Sequence, residues 1–252
     1  MKNFYRRLPL ETLHNARDLG GHPVPGGVTR FGAFVRCEAP CALSPSDIDF
    51  LRDYGVTTSI DFRGDGEISR QPSSFEHCAG IAYVRSPTFN DQVAFGAKPG
   101  SKSPPVTAFV KWGEKYVEMA DTCHEWICET LEALADVRGC ALYNCTTGKD
   151  RTGIMSALLL GLAGASFEDI IADYCVSEVY LQSVYIPLLE AYNSRFPEEG
   201  RATVSDPFFR TEPSAMAELL GHLQSEYGGI PEYARVCGVR DGTVQKIREK
   251  LL

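Results

Sequence analysis

The chain has 252 residues, 44% of them hydrophobic and 23% charged, a composition ordinary for a soluble globular protein and a length able to bury one large core. Its formal net charge of −8 argues against non-specific nucleic-acid binding, which needs a basic face. No uninterrupted apolar run reaches about 18 residues and the start, Met1-Lys-Asn-Phe-Tyr-Arg-Arg7, is not apolar, so neither a membrane-spanning helix nor a signal peptide is expected.

Residues 1–30 read as irregular, with turns at Gly20-Gly21 and Pro23-Val-Pro-Gly-Gly27. Ala33 to Cys37 is a predicted strand. Ser44-Pro-Ser-Asp47 has an N-cap serine followed by proline at the first helical position, and opens a helix to Tyr54. Val56 to Phe62 is a buried strand, a short helix lies near Glu67, and Ile81 to Arg85 is the next strand. Residues 86–106, with Pro87, Gly96, Pro99-Gly100 and Ser103-Pro-Pro105, form a long connection without periodicity, expected to be a mobile flap beside the functional site. Helices are predicted from about Thr107 to Asp136 with a break near Asp121, then a strand over 139–144. The second half is almost wholly helical, with a helix start at Ser166-Phe-Glu-Asp169 and an apolar stripe of Val244, Ile247 and Leu251 on the final helix. This alternation predicts an α/β fold, a mainly parallel central sheet flanked by helices, in one domain spanning 1–252, with ligands at the carboxyl ends of the strands.

The most informative segment is Cys145-Thr-Thr-Gly-Lys-Asp-Arg-Thr-Gly153. It joins the apolar run Cys140-Ala-Leu-Tyr-Asn144 to the apolar stretch Ile154 to Leu162, so it reads as strand, tight loop and helix start. Such a loop turns several backbone N–H groups inward and adds the helix dipole, which makes an anion cradle. A cysteine at its mouth is expected as a thiolate at neutral pH, and Arg151 can hold two phosphate oxygens at once. A cysteine alone would more simply be inert core; the whole string points to a nucleophile and an oxyanion clamp converging on one phosphoryl group. A nucleotide-binding P-loop is excluded, because Gly148-Lys149 is followed by Asp150 and the glycine five residues earlier is missing.

The segment resembles the Cys-x5-Arg-Thr/Ser loop of the cysteine-dependent phosphatases. Its Gly-Lys-Asp-Arg-Thr-Gly form is similar to that of the atypical bacterial tyrosine phosphatases, a group with dual-specificity and phosphoinositide-hydrolysing members. Asn15-Ala-Arg-Asp-Leu-Gly-Gly21, Phe34-Val-Arg-Cys-Glu38, Ile60-Asp-Phe-Arg-Gly-Asp-Gly-Glu67, Ile171-Ala-Asp-Tyr174 and the stretch from Tyr227-Gly-Gly to Leu252 resemble further segments of that family in the same order. The resemblance implies the cysteine-phosphatase fold with a helical C-terminal half, and a phosphomonoesterase that needs neither metal nor other cofactor. Its substrate would be a phosphotyrosine protein, with phosphoserine/threonine and phosphoinositides as further classes.

Under that reading Cys145 forms a cysteinyl-phosphate and Arg151 binds the equatorial oxygens. The backbone N–H groups of Thr146, Thr147, Gly148, Lys149, Asp150 and Arg151 complete the cradle, and Thr152 hydrogen-bonds the thiolate and assists hydrolysis of the intermediate. Lys149 and Asp150 are expected on the loop rim, Lys149 adding positive potential for multiply phosphorylated head groups and Asp150 orienting water or pairing with a nearby base. The leaving group needs an acid. Asp91, on the flap just past Ser86-Pro87, is the first candidate, with an alignment uncertain by one residue toward Asn90. Asp61 is the second, its alternative being an aspartate tied to Arg63 or to loop amides. Arg17 and Asp18 are expected to brace the site.

One position departs from the family. Asn144 stands where similar enzymes have the histidine that holds the loop and favours the thiolate, so attenuated activity is expected. That leaves open a phosphate- or phospholipid-binding module with a degenerate site. A sulfurtransferase is disfavoured by the Arg-Thr-Gly ending. Nine cysteines, an odd count without Cys-x-x-Cys pairs, and five scattered histidines fit neither a disulfide framework nor a zinc site; the expected location is the reducing cytoplasm. Cys140 reads as strand core, with a resolving thiol for Cys145 as the alternative. Oligomeric state is not legible.

Overall fold

In the computed structural model, which describes residues 6–88, 111–194 and 210–252, a five-stranded sheet carries the site. Its strands are β1 (Arg17–Asp18), β4 (Phe34–Cys37), β7 (Cys140–Asn144), β5 (Val56–Asp61) and β6 (Ala82–Arg85), in the spatial order β1-β4-β7-β5-β6. β4, β7, β5 and β6 run parallel, and β1 pairs antiparallel at one edge. β7 lies in the middle with every residue buried, the unalternating pattern of a strand covered on both faces. The register aligns the last residues of four strands: Cys37 opposite Asn144, Asn144 opposite Asp61, Asp61 opposite Arg85. The carboxyl edge of the sheet is therefore one polar row, and the Cys145 loop rises from its centre.

Two apolar layers hold the sheet. On one face Phe34, Ile60, Ala141 and Tyr143 pack under helices α3 (Trp112–Thr122), α4 (His124–Asp136) and α5 (Arg151–Ala163), which belong to the larger cluster. On the other, Val35, Cys37, Val56, Cys140 and Leu142 pack with Leu51 of α1 (Pro45–Tyr54) and with Phe75. α5 is apolar beyond its first turn save for Ser156, and is buried all along except at Gly161. It is the central helix of the C-terminal half, packed by α6 (Phe167–Asn193), α8 (Ile230–Val236) and α9 (Asp241–Leu251), while α7 (Pro213–Tyr227) packs on α3, α6 and α8. Burying such a helix fixes the direction of its N-terminus, which points at the sheet's carboxyl edge.

The local stop and start signals act as chemistry requires. Ser44 caps α1 by accepting from the Asp47 N–H at 3.1 Å, with Pro45 at the first turn and Gly55 closing the end at φ +105. Ser166 caps α6 through the Asp169 N–H at 3.2 Å. The stripe on α9 buries Ile247 and Leu251, with Val244 packed against the core. The break between α3 and α4 falls at Cys123, two residues beyond Asp121. The N-terminal region is more regular than its turns suggest: besides β1 it holds a hairpin of β2 (Pro23–Val24) and β3 (Gly27–Val28). Strands of two residues are too short to show alternation. A short helix, α2 (Asp65–Arg70), follows β5. Of the expected flap, residues 86–88 follow β6, held by Trp126 Nε1 donating to the Ser86 carbonyl at 2.8 Å; residues 89–106 lie outside the described residues, as do 107–110 of the expected helix. No described helix is long and apolar enough to cross a membrane.

Candidate active site

Asn144 ends β7 and Arg151 opens α5, so Cys145–Asp150 form the whole connection. Gly148 makes its tight course possible. It has φ +67, and a Cβ there would lie 2.4 Å from the carbonyl carbon and oxygen of Cys37. The loop thus rests directly on the end of β4. Its carbonyls are taken from outside: Thr146 O accepts from Ala39 N at 3.1 Å, Thr147 O from Asn15 Nδ2 at 3.1 Å, and Gly148 O from Arg36 Nη2 at 2.8 Å and Asn15 Nδ2 at 3.3 Å. A trans peptide is planar, so each outward carbonyl turns the next residue's N–H the opposite way. The N–H groups of Thr147, Gly148 and Lys149 are oriented in this manner, and α5 adds its N-terminal dipole.

Arg151 meets a carboxylate that had no assigned role. Glu67 takes both its terminal nitrogens in parallel, Nη1 to Oε2 and Nη2 to Oε1, each at 2.8 Å. Nη1 also donates to the Phe62 carbonyl at 3.1 Å, and Thr146 Oγ1 donates to Glu67 Oε1. α2 fixes Glu67 in turn, because Glu67 Oε2 accepts from the Gly64 N–H at 3.0 Å at that helix's start. Burial works against the Glu67 charge, but the Arg151 guanidinium overrides it and holds the carboxyl down to about 2; the Arg151 pKa rises correspondingly. Arg151 Nε and Thr152 Oγ1 are buried without a hydrogen-bond partner among the described residues. Arg151 Nε is thereby left as a buried donor at the helix end of the loop, and Thr152 Oγ1 makes no hydrogen bond to the Cys145 sulfur in this structure.

Several expected residues sit elsewhere than predicted. Lys149 and Asp150 are not on a rim; they are buried, Lys149 at 1% exposure. Lys149 Nζ lies 4.3 Å from the centre of the Trp112 ring, donates to the Arg210 carbonyl at 3.2 Å and is 3.6 Å from Asp150 Oδ1. Burial lowers its pKa, against the pull of Asp150. Asp150 accepts from Tyr116 OH at 2.6 Å, and Tyr116 OH lies 2.8 Å from Tyr174 OH. The reason is tertiary: α3 and the chain before α7 cover this side of the loop, which nothing local to Lys149-Asp150 reveals.

Asp61, the second candidate acid, is fully buried. Arg63 Nε donates to both its oxygens at 3.0 and 3.1 Å and Arg63 Nη2 to Oδ2 at 2.7 Å; the Arg63 N–H, Asn144 Nδ2 and Tyr83 OH add three more bonds, each at 3.0 Å. Both its oxygens face Arg63, and the Arg63 amide also reaches Oδ1, so Asp61 is tied to Arg63 and to a loop amide. Asn144 donates through Nδ2 to Asp61 Oδ1 and, at 3.3 Å, to the Cys145 carbonyl, so it ties the strand end to the start of the loop. Asp91, the first candidate acid, lies outside the described residues.

Cys140 is strand core. It opens β7 while Cys145 follows that strand's end, about 16 Å along an extended chain, and the two belong to opposite apolar layers. The cysteines form no disulfide among the described residues. Arg17 does brace the loop, through Asn15: its Nη1 donates to Asn15 Oδ1 at 2.5 Å, which turns the Asn15 amide nitrogen toward the loop. Asp18 accepts from the Gly20 and Gly32 N–H groups and from Tyr54 OH. It braces β1 and the turns beside it without touching the loop. Glu67, Arg36, Asp173, Tyr116 and Tyr174 carried no assigned role in the sequence reading; some lie in segments whose resemblance was noted, but their contacts join residues far apart in sequence.

The fold thus brings a cysteine at the end of a parallel strand and an arginine opening the next helix to the two ends of one tight loop at the sheet's carboxyl edge. The sequence pattern of the tyrosine phosphatase family matches residues 8–252. The chain belongs to the tyrosine phosphatase family and is an enzyme of the phosphatase class. It is similar to a tyrosine-protein phosphatase of Nostoc commune, 28% identical over 87% of this chain and 74% of that one. A Cupriavidus necator protein provisionally named tyrosine-protein phosphatase is 30% identical over 68% of this chain and 62% of its own. A triple specificity protein phosphatase, PtpB, of Mycobacterium tuberculosis is 29% identical over 44% of this chain and 43% of its own. The chain thus spans about three quarters of the first relative and less than two thirds of the other two.

Proposed function

We propose that residues 1–252 form one phosphatase domain that hydrolyses phosphotyrosine through a cysteinyl-phosphate. The observation that carries this reading is the loop itself, with Cys145 at its strand end, oriented amides along it, and Arg151 fixed at its helix end by Glu67. The Cys145 sulfur attacks phosphorus in line, and the bond to the leaving oxygen breaks. That oxygen takes a proton from an acid, for which Asp91 is the proposed residue. Arg151 and the amides of residues 146–151 take the charge spread over the equatorial oxygens. Water then attacks the phosphorus, displaces the thiolate and releases phosphate; Thr152 Oγ1, which is buried and has no partner among the described residues, is proposed to turn to the sulfur and donate to it as it leaves. Asn144 supports an active rather than a degenerate site, since its bonds to Asp61 and to the Cys145 carbonyl hold the position that a histidine holds in similar enzymes.

The substrate range is proposed to extend to phosphoserine/threonine and phosphoinositides. The burial of Lys149 removes the rim charge that favoured lipid head groups, so phosphotyrosine leads. The test is p-nitrophenyl phosphate hydrolysis in EDTA: turnover is expected, is abolished by Cys145→Ser, and inorganic phosphate protects Cys145 from iodoacetate. Turnover that survives the substitution would sink the mechanism. A panel of phosphopeptides and phosphoinositides then ranks the substrates. Asp91→Asn should lose more rate on poor leaving groups than on activated aryl phosphates; equal loss on both would remove Asp91 as the acid.

A further inference from the structure

The phosphate loop is oriented from behind by a cluster outside the loop, and the anchor of that cluster is Asp173 on α6. Asp173 is 1% exposed, and each of its oxygens faces a different arginine: Oδ1 accepts from Arg17 Nε at 3.0 Å, Oδ2 from Arg36 Nη1 at 2.6 Å. Burial opposes its charge, but the two guanidiniums hold the carboxyl well below the usual carboxylate range. Each arginine then reaches the loop. Arg36 donates its other terminal nitrogen, Nη2, to Gly148 O at 2.8 Å. Arg17 donates to Asn15 Oδ1, and Asn15 Nδ2 donates to Thr147 O at 3.1 Å and Gly148 O at 3.3 Å. Arg17 is itself tied back to α6 by Nη2, which donates to the Asp173 carbonyl and to Ser177 Oγ, each at 2.9 Å.

We infer that Asp173, through Arg36 on one arm and Arg17–Asn15 on the other, is a positioning residue that sets the Gly148 and Lys149 N–H groups for the phosphate. The inference rests on the phosphatase reading above. Three features carry it. First, both arms meet on the carbonyl of Gly148, the loop's left-handed residue, and the Asn15 arm also holds the Thr147 carbonyl before it, so the two peptides whose orientation a glycine leaves least constrained are held from outside. Second, every side chain in the relay is buried, so neither arm is exchanged for solvent. Third, the relay contains two guanidiniums and one carboxylate. His22 Nε2 lies 3.8 Å from Asp173, but burial lowers its pKa, so it adds no balancing or competing charge at neutral pH. A second buried carboxylate, Glu38, accepts from the Asn15 N–H at 2.9 Å, so what the cluster gives the outer side of the cradle is fixed donors rather than a net charge. Held donors that need no reorganisation during reaction are the main source of such stabilisation.

The test separates orientation from folding. Tungstate, a phosphate-shaped oxyanion, is titrated calorimetrically into Cys145→Ser protein, which reads the cradle without chemistry, and kcat and KM on p-nitrophenyl phosphate are measured with Cys145 present. Each assay is run well below the melting temperature of the variant used. Arg36→Met is expected to weaken tungstate binding and lower kcat by about tenfold to a hundredfold, the loss of one charge-assisted bond, with kcat falling more than KM rises. Arg36→Lys should recover part of both. Asn15→Ala removes the second arm without touching an ion pair, and should move both readouts the same way by a smaller factor; it carries the test if the arginine variants do not fold. Lower melting temperatures with unchanged tungstate affinity and kcat would overturn the positioning role and leave the phosphatase reading intact. If Cys145→Ser protein takes up no tungstate and the unsubstituted protein hydrolyses no aryl phosphate, the phosphatase reading itself fails, and the positioning role with it.

Discussion

Asp61 and Asp173 lie on opposite sides of the same loop, both buried and both ion-paired to arginine, but their stoichiometry differs. Asp61 faces one guanidinium that folds back onto it from two residues away, and its remaining lone pairs serve Asn144 and Tyr83. Asp173 sits on a distant helix and divides its oxygens between Arg17 and Arg36, and both arginines have donors left over for the loop. The one-to-one pair is closed: its charges cancel, and it works as a rigid spacer that fixes the end of β7. The two-to-one cluster is open, and passes orientation on to the loop through Arg36 and Asn15. Isolated buried pairs gain little net stability because desolvation offsets their attraction. What distinguishes the two is therefore what each remaining hydrogen bond holds.

Breaking the closed pair should have the largest effect on folding. Asp61→Ala leaves Arg63, about 1% exposed, as a buried charge without its counterion, and frees Asn144 and Tyr83. A cost of about 3–5 kcal/mol is expected, which lowers the melting temperature by on the order of 10 °C in a chain of this size. A drop of only a degree or two by calorimetry would show that Arg63 finds water or another partner, and would reopen Asp61 for a chemical role.

Asp18 supplies the contrasting case, a buried carboxylate with no cation. It accepts from the Gly20 N–H at 2.6 Å, the Gly32 N–H at 2.8 Å and Tyr54 OH at 2.7 Å. Burial pushes its pKa up to about 6 despite those bonds. The folded value lies above the unfolded one, near 3.9, so between those values the folded state binds more protons, and stability falls as pH rises. The span corresponds to roughly 3 kcal/mol, fully lost above about pH 6. Denaturant titrations from pH 4 to 7 should show Asp18→Asn costing most at pH 4 and least at pH 7. A cost independent of pH would mean that the three donors suffice to keep Asp18 charged without penalty, and that arginines are not needed to bury a carboxylate here.

Legibility followed the same division between near and far. β7, the loop and the start of α5 could be read because their signals are contiguous: a buried run after Gly139, a loop string with Gly148, then an apolar helix. α1 was legible from Ser44 and Pro45 for the same reason. The parallel sheet followed from alternation, and the sheet edge as the site followed from the fold class. What could not be read were partners brought together only by folding. Arg36 and Asp173 are separated by most of the chain, and Arg17 is two residues from Asn15 in a stretch whose two-residue strands leave no periodicity. Lys149 and Asp150 read as a solvated loop rim because acid and base side by side are usually solvated; only the packing of Trp112 and Tyr116 over them shows otherwise. Asp61 was read with the correct alternative beside the catalytic one, since Arg63 is close enough in sequence to suggest it.

The third carboxylate–guanidinium pair, Glu67 with Arg151, stands at the mouth of the site with side chains 23% and 10% exposed, and it should separate stability from function most cleanly. Solvent reaches this pair and discounts the roughly 3 kcal/mol to which the Glu67 shift corresponds, so Glu67→Gln is expected to lower the melting temperature by a few degrees, less than Asp61→Ala. Catalysis should respond more. A neutral amide keeps one of the two parallel bonds and loses the charge that fixes the guanidinium plane, so kcat/KM on aryl phosphates should fall by about tenfold, or about 1.4 kcal/mol of transition-state stabilisation. The pH dependence has a definite sign. Glu67 has a folded pKa of about 2, below its unfolded value near 4.3. Its contribution to stability is therefore present above about pH 4.3 and is lost as the pH falls toward 2, and the difference in stability between the parent protein and Glu67→Gln should shrink over that interval. If kcat/KM is unchanged, the Phe62 carbonyl and the loop hold Arg151 without help. The orienting carboxylates of this site would then be confined to the buried clusters behind it.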